Sequence, residues 1–246
     1  MTDSAALLRV AIDAAHRAGA EILRVYASDF AVTHKGDRTP VTEADHAAQR
    51  VILEALAATG IPAIAEEAVL PDRAPPRFWL VDPLDGTREF VARRDEFSVN
   101  IGLVEGDRPV LGVVHAPVTG VTWAAADGKA TRDGKPIRAR LAPPALVVVH
   151  SRSHSDSAKL QAWLDAEHVA VAQRMVSGSA IKFGLIAEGT ADLYPRLGPT
   201  SEWDTAAGQA IVEAAGGSVT ELDGTPLRYG KKDFLNTGFV ARGRTA

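Results

Sequence analysis

The stretch FWLVDPLDGTREF, residues 78–90, opens with four bulky apolar side chains, Phe78, Trp79, Leu80 and Val81, and stops at Asp82. A second acid, Asp85, follows in a turn made of Pro83, Gly86 and Thr87. The apolar run reads as a buried strand bounded by turn residues. Two carboxylates at its end are either an ordinary loop, because Asp, Pro and Gly all favour turns, or a site that needs acids at the mouth of a sheet.

Segments of the same kind surround it. IPAIAEE (61–67), FSVNIGLVE (97–105), PVLGVVHAP (109–117) and VTWAAADG (121–128) are branched or aromatic runs cut by Gly, Pro and Asp, and with RFWLVD (77–82) they read as strands of one sheet. Two helices precede them. Leu7, Val10, Ala14, Ala18, Ile22 and Val25 recur at spacings of three and four, which predicts a helix over about 4–27 with one buried face. Thr42, with Asp45 three positions on, opens a second helix through Val51, Leu53 and Leu56 that ends near Gly60.

Near ARLAPPA (139–145) the composition shifts to Pro and Ala. Beyond it strand and helix alternate through LVVVHS (146–151), SAKLQAWLDA (157–166), VAVAQRMV (169–176), SAIKFGLIAEG (179–189), ADLYP (191–195) and WDTAAGQAIVEAAGG (203–217). The fold class is therefore α/β, with an α+β N-terminal half and an α/β C-terminal half. A boundary near Pro143 and Pro144 divides an N-terminal domain, 1–142, from a C-terminal domain, 143–246.

Composition narrows the function. The 246 residues are 46% hydrophobic and 24% charged, which is globular, and no apolar run approaches the roughly 18 residues of a membrane span. The N-terminal segment mixes Asp3, Arg9, Asp13 and Arg17 among its apolar positions, unlike a signal peptide. The absence of cysteine excludes disulfides, thiolate zinc sites and cysteine nucleophiles, and fits a reducing, cytoplasmic setting. A net charge of -4 without a basic cluster argues against nucleic acid as a partner.

The acids share one context, the end of an apolar strand or the first turn of a helix. Glu66 and Glu67 follow PAIA, Asp82 and Asp85 follow FWLV, Asp204 opens the helix after Trp203, and Asp45 opens the helix after Thr42. Each has a plain reading: Asp45 closes a capping box, Asp204 favours its helix dipole, and Glu66-Glu67 is a solvated loop. Together they would repel one another unless cations neutralise them. Carboxylates and a backbone carbonyl suit hard cations such as Mg²⁺ or Mn²⁺.

PVTEAD (40–45), AEE (65–67), DPLDGT (82–87) and WDTAAG (203–208) occur in that order, and at this point the chain resembles a known family. It is similar to the metal-dependent, lithium-sensitive phosphatases that include inositol monophosphatase, fructose-1,6-bisphosphatase and the 3'(2'),5'-bisphosphate nucleotidases. DPLDGT and WDTAAG match fully, and AEE replaces the usual GEE with both acids kept. The resemblance implies a layered αβαβα sandwich. It also implies that Glu66, Asp82, the Leu84 carbonyl, Asp85 and Asp204 hold two or three magnesium ions, with manganese as a substitute. Asp45 and Thr87 would orient and deprotonate the attacking water, and Glu66 joins them among the catalytic residues.

A phosphate monoester repels hydroxide, so its hydrolysis needs positive charge, in-line positioning and a water made acidic near pH 7. A metal pair roughly 3.5–4 Å apart supplies all three. Backbone N–H groups at Gly86 and Thr87 suit phosphate oxygens. In the second half, SRSH (151–154), SGSAIKF (177–183) and YPRLGP (194–199) place His154, Ser179, Lys182 and Arg196 at element ends, with Ser179 and Lys182 on one face at a helix start. These segments resemble those of the bisphosphate nucleotidases of the bacterial CysQ type, in which equivalent residues grip a 5'-phosphate. The substrate residues are then Glu66, Leu84, Asp85, Gly86, Thr87, His154, Ser179, Lys182, Arg196 and Asp204.

The reaction the resemblance implies is hydrolysis of adenosine 3',5'-bisphosphate to AMP and phosphate, with 3'-phosphoadenylyl sulfate as a second substrate, by a monomer or homodimer in the cytoplasm or at the inner face of the membrane. An inositol or sugar phosphatase with the same metal site stays open, as does a structural cation-binding protein. Two residues, not one, separate Asp82 from Asp85, which counts against the Asp-x-Asp-Gly-Thr phosphatases that form an aspartyl-phosphate.

Overall fold

The computed structural model describes residues 3–34, 40–152 and 157–245. Helix α1 (Ser4–Tyr26) starts where Asp3 accepts the Ala5 N–H at 3.1 Å, and its stripe of Leu7, Ala11, Ala14, Ala18, Ile22 and Val25 is buried. Strands β1 (Val32–His34) and β2 (Pro40–Thr42) pair antiparallel, and β2 runs directly into α2 (Glu43–Ala57). Then come β3 (Ala63–Ala65), β4 (Arg77–Asp85), the short helix α3 (Thr87–Val91), β5 (Ser98–Glu105), β6 (Arg108–Ala116), β7 (Val121–Ala126), β8 (Lys129–Arg132) and β9 (Lys135–Pro136). These strands form one seven-stranded sheet in chain order, parallel between β3 and β4 and antiparallel from there on.

The second half contains β10 (Leu146–His150), α4 (Ser157–Ala166), β11 (Val171–Val176), α5 (Ile181–Ala187), β12 (Leu193–Arg196), β13 (Thr200–Ser201), a 3-10 turn at Glu202–Asp204, and α6 (Ala206–Ala214). It ends with β14 (Ser218–Thr220), a 3-10 turn at Lys232–Phe234, β15 (Leu235–Asn236) and β16 (Phe239–Arg242). A five-stranded sheet runs β11-β10-β12-β16-β14, its first three strands parallel and the last two joined antiparallel.

Side-chain alternation along β4 sets the layers. Trp79 and Val81 face α1 and α2, in a cluster with Ala14, Ile22, Ile52 and Leu56. Phe78 and Leu80 face the other way, onto Phe183 and Ile186 of α5 and Ile211 of α6, which also pack against Tyr194 and Phe239 of the second sheet. The far side of that sheet, Val148, Leu193 and Val240, is covered by Leu160 and Leu164 of α4. The order is helix, sheet, helix, sheet, helix, which is the αβαβα sandwich. Among the described residues no helix is long and apolar enough to cross a membrane.

Two elements depart from the sequence reading. Asp204 does not open a helix after Trp203; it ends the 3-10 turn, and α6 begins at Ala206. Ser179 and Lys182 do not share one helical face either. Helix α5 starts at Ile181, and Ser179 lies ahead of it in the left-handed region at φ 43°. Gly178 explains that loop: a Cβ there would lie 2.3 Å from the Glu96 carbonyl, so the chain passes where no side chain fits.

Candidate active site

The two acids at the end of a buried strand come to one face through the register of β4 against β5. Asp82 pairs with Asn100 and Asp85 with Ser98, so three steps on β4 match two on β5. Residues three apart on a regular strand point to opposite faces; the one-residue bulge at Pro83-Leu84 returns Asp85 to the face of Asp82. Leu84 turns its side chain to the α1–α2 core. Proline is tolerated there because a bulge leaves an N–H unneeded.

Both acids face a cleft of about 420 Å³ between the two sheets. Asp204 reaches it from the 3-10 turn, held by the Ser201 N–H at 2.9 Å and by the Thr200 hydroxyl. One carboxylate oxygen from each of Asp82, Asp85 and Asp204 lies within 4.8 Å of the others. Glu66 follows β3, its N–H bonded to the Val81 carbonyl at 3.1 Å, and lines the same cleft.

Crowding leaves its mark on these groups. Burial, then Glu66, Asp85 and Asp204 in turn, hold Asp82 well above the usual carboxylate range. Burial and Asp204 push Asp85 up to about 7, against the opposing pull of Lys182 and the hydrogen bonds it accepts from Asn100 (3.1 Å) and the Ala180 N–H (2.5 Å). Asp204 is raised too, by burial and by Glu66. An all-oxygen set of buried and half-buried, mutually repelling carboxylates fits a hard divalent cation, whose charge would relieve each of these shifts.

Asp45 stands just behind. Its Oδ2 takes the Thr42 N–H (2.7 Å) and hydroxyl (2.8 Å), closing the capping box, while its Oδ1 lies 3.3 Å from the Thr87 hydroxyl. Thr87 also lies 3.1 Å from the Leu84 carbonyl, so its single proton is shared between two acceptors. Gly86, at φ 94°, makes the left-handed turn that aims Thr87 into the cleft. Burial raises Asp45, with the Thr42 hydrogen bonds opposing.

The five-stranded sheet and α5 supply the opposite wall. Lys182 is 2% exposed and donates to the carbonyls of Ser177 (3.2 Å) and Ser179 (2.5 Å). Burial lowers it to about 8, although Asp85 pulls the other way. Arg196 donates through Nη2 to the Pro199 carbonyl at 3.0 Å, while its buried Nε meets no acceptor. Every candidate site residue lines this cleft except Asp45, which reaches it through Thr87, and His154, which lies outside the described residues; Glu67, the second acid after β3, is not among the lining residues.

The sequence profile of the inositol monophosphatase family matches residues 3–245. The chain belongs to the inositol monophosphatase family. It is 46% identical over 245 residues, 92% of this chain and 95% of the relative, to the 3'(2'),5'-bisphosphate nucleotidase CysQ of Escherichia coli (strain K12). It is 48% identical, with the same coverage, to the 3'(2'),5'-bisphosphate nucleotidase CysQ of Salmonella typhimurium. Among solved structures, that of CysQ from Bacteroides thetaiotaomicron, a bacterial member of the same family, superimposes with a TM-score of 0.86 at 36% identity, covering 97% of each chain.

Inositol monophosphatase family enzymes are metal-dependent phosphatases, and the acidic cluster is in keeping with that. Two residues of the cleft region, Asn100 and Arg88, are not among those the sequence points to. Asn100 holds Asp85, and the signal was a polar residue inside the otherwise apolar strand FSVNIGLV. Arg88 lines the cleft beside Thr87, and the sequence offers no signal that separates it from a solvated charge.

Proposed function

We propose that this chain hydrolyses the 3'-phosphate of adenosine 3',5'-bisphosphate, giving AMP and phosphate, and accepts 3'-phosphoadenylyl sulfate as a second substrate. The observation that carries the reading is one cleft with an acidic triad on one wall and Lys182 and Arg196 on the other. The CysQ relatives support the nucleotide over an inositol or sugar phosphate. Arg196 adds to this, because a buried donor without an acceptor is what an unfilled phosphate seat leaves behind.

In this reading Glu66, Asp82, the Leu84 carbonyl, Asp85 and Asp204 hold two or three Mg²⁺ ions, which Mn²⁺ can replace. Bound, these ions offset the charge of the phosphoryl group and make water acidic near neutral pH. Residues 1–142 then carry all metal ligands but Asp204, and residues 143–246 carry the groups that grip the second phosphate. Thr87 accepts a hydrogen bond from the attacking water while donating its own to Asp45, which takes up the proton; Glu66, at the end of β3, helps orient the water. Gly86 leaves the backbone free to approach the scissile phosphate. Ser179, Lys182 and Arg196, joined by His154, receive the 5'-phosphate.

The test is phosphate release from adenosine 3',5'-bisphosphate beside inositol 1-phosphate and fructose 1,6-bisphosphate, in saturating Mg²⁺, with and without lithium. Preference for the nucleotide, lost in Asp82→Asn, is the expected result. Preference for inositol phosphate overturns the substrate while leaving the metal site standing.

A further inference from the structure

Among the described residues three cationic side chains line the cleft: Arg88, Lys182 and Arg196. Two of them are already engaged by the protein. The Lys182 ammonium is buried, donates to two backbone carbonyls and stands 5.0 Å from the centre of the Tyr194 ring. Arg196 is tied to the Pro199 carbonyl. Arg88 differs from both: it is exposed, and among the described residues its guanidinium has neither a hydrogen bond nor an ion pair.

The backbone beneath it is firmly held. Arg88 lies in the first turn of α3, and Phe90, two residues on, is buried against Tyr26, Phe30 and Phe97 with ring centres 5.0, 4.7 and 5.3 Å away. Thr87, on its other side, is fixed by its contacts with Asp45 and the Leu84 carbonyl. A free guanidinium on a fixed stem thus stands at a cleft lined by the three acids Asp82, Asp85 and Asp204.

We infer that Arg88, from the rim of the cleft, joins Ser179, Lys182 and Arg196 in recognising the second anionic group of the substrate, the one that is not hydrolysed, and so strengthens the preference for a bisphosphate over a monophosphate. The inference rests on the nucleotide reading above. A guanidinium presents a planar fork that matches two oxygens of a phosphate, and its pairing with a dianion is a charge-assisted hydrogen bond. Because it stands at the exposed rim, it also attracts the substrate before contact, an effect that salt screens.

The experiment compares adenosine 3',5'-bisphosphate with adenosine 3'-monophosphate in saturating Mg²⁺ for the wild type, Arg88→Ala and Arg88→Lys. The readout is the ratio of kcat/KM for the two substrates. Removing one charge-assisted contact should lower this ratio about 10- to 100-fold in Arg88→Ala, through KM, with Arg88→Lys intermediate and the salt dependence of KM reduced. Both variants should fold, since the side chain is exposed and holds no partner among the described residues, and their Tm values check this. A wild type with no preference for the bisphosphate overturns the nucleotide reading. A wild type that has the preference and an Arg88→Ala variant that keeps it in full overturn the inference and return Arg88 to the solvated surface.

Discussion

Thr87 and Asp45, 42 positions apart in sequence, face each other with the threonine hydroxyl 3.3 Å from Asp45 Oδ1, so the first residue of α3 is coupled to the first turn of α2. Asp45 therefore does two jobs with two oxygens. One closes the capping box and the other waits on Thr87, which makes the plain and the chemical readings of Asp45 compatible.

Asp45→Asn keeps the shape and removes the carboxylate to which the proposed mechanism sends the proton. We expect kcat to fall about 100- to 10,000-fold, the usual weight of a general base. The weakened cap should cost about 0.5–2 kcal/mol, seen as a Tm lower by a few degrees. Asp45 lies outside the acidic triad, so the rise in Tm caused by Mg²⁺ should persist. A kcat within threefold of wild type would remove Asp45 from the mechanism.

The triad predicts an inverted pH dependence of stability in metal-free protein. An acid whose pKa is raised by folding keeps its proton in the folded state after the unfolded chain has released it, so stability falls as pH climbs from the usual carboxylate range to the folded value. For Asp85 that folded value is about 7, and Asp82 and Asp204 are raised in the same direction. Chelated protein should melt at a lower temperature at pH 8 than at pH 6.5, and added Mg²⁺ should erase the difference. Asp82→Asn removes one of the repelling charges. Its metal-free Tm at pH 8 should rise, while its response to Mg²⁺ and its turnover are lost. A variant less stable than wild type without metal would contradict this account.

Glu202 belongs to the same site from behind. It is fully buried and accepts the N–H groups of Gly230 (2.7 Å) and Lys231 (3.0 Å) and the Lys231 ammonium (3.0 Å). Asn236 adds donations to the Ser201 carbonyl (3.2 Å) and Thr205 hydroxyl (3.0 Å). The segment 228–236 thus clasps the 3-10 turn that carries Asp204. Glu202→Gln should weaken Mg²⁺ binding about 10- to 100-fold by calorimetric titration, as loosening the groups behind a ligand does elsewhere. Lys231→Met, which keeps both backbone donors, should weaken it less. Unchanged Mg²⁺ affinity together with a lowered Tm would make the clasp structural only.

What could be read from the sequence followed what is local. The apolar stripe of α1, the Thr42–Asp45 cap and the strand runs through β7 each lie within a few residues of themselves, and all are present. The bulge that brings Asp82 and Asp85 to one face is a property of pairing with β5, so the sequence of β4 alone does not contain it. Helix α3, with five residues, is too short to show a period, and β13 and β15 pair across more than thirty residues as two-residue strands. VAVAQRMV read correctly as strand, yet β11 is exposed along nearly its whole length, because it is the edge of its sheet. For Lys182 the sequence supplied the charge but not its burial or its carbonyl partners, which depend on how the 177–180 loop folds over it.

Away from the cleft, His115 supplies a pH effect of the opposite sign. Its Nδ1 lies 2.9 Å from the Thr122 hydroxyl, to which His16 Nε2 is also 2.9 Å away, and the two imidazole centres are 4.7 Å apart. Burial, then the neighbouring His16, lower His115 to about 4, while a backbone hydrogen bond with Val121 and then Asp133, bonded to the Thr122 N–H, pull the other way. A base lowered by folding stays neutral in the folded state at pH values where the unfolded chain is already protonated. Its contribution to stability is therefore present above about pH 6.5 and is lost as pH falls toward 4. With Mg²⁺ present to quiet the acids, Tm should fall between pH 6.5 and 4.5, and His115→Gln should flatten that slope. An unchanged slope in the variant would assign the acid sensitivity to other groups.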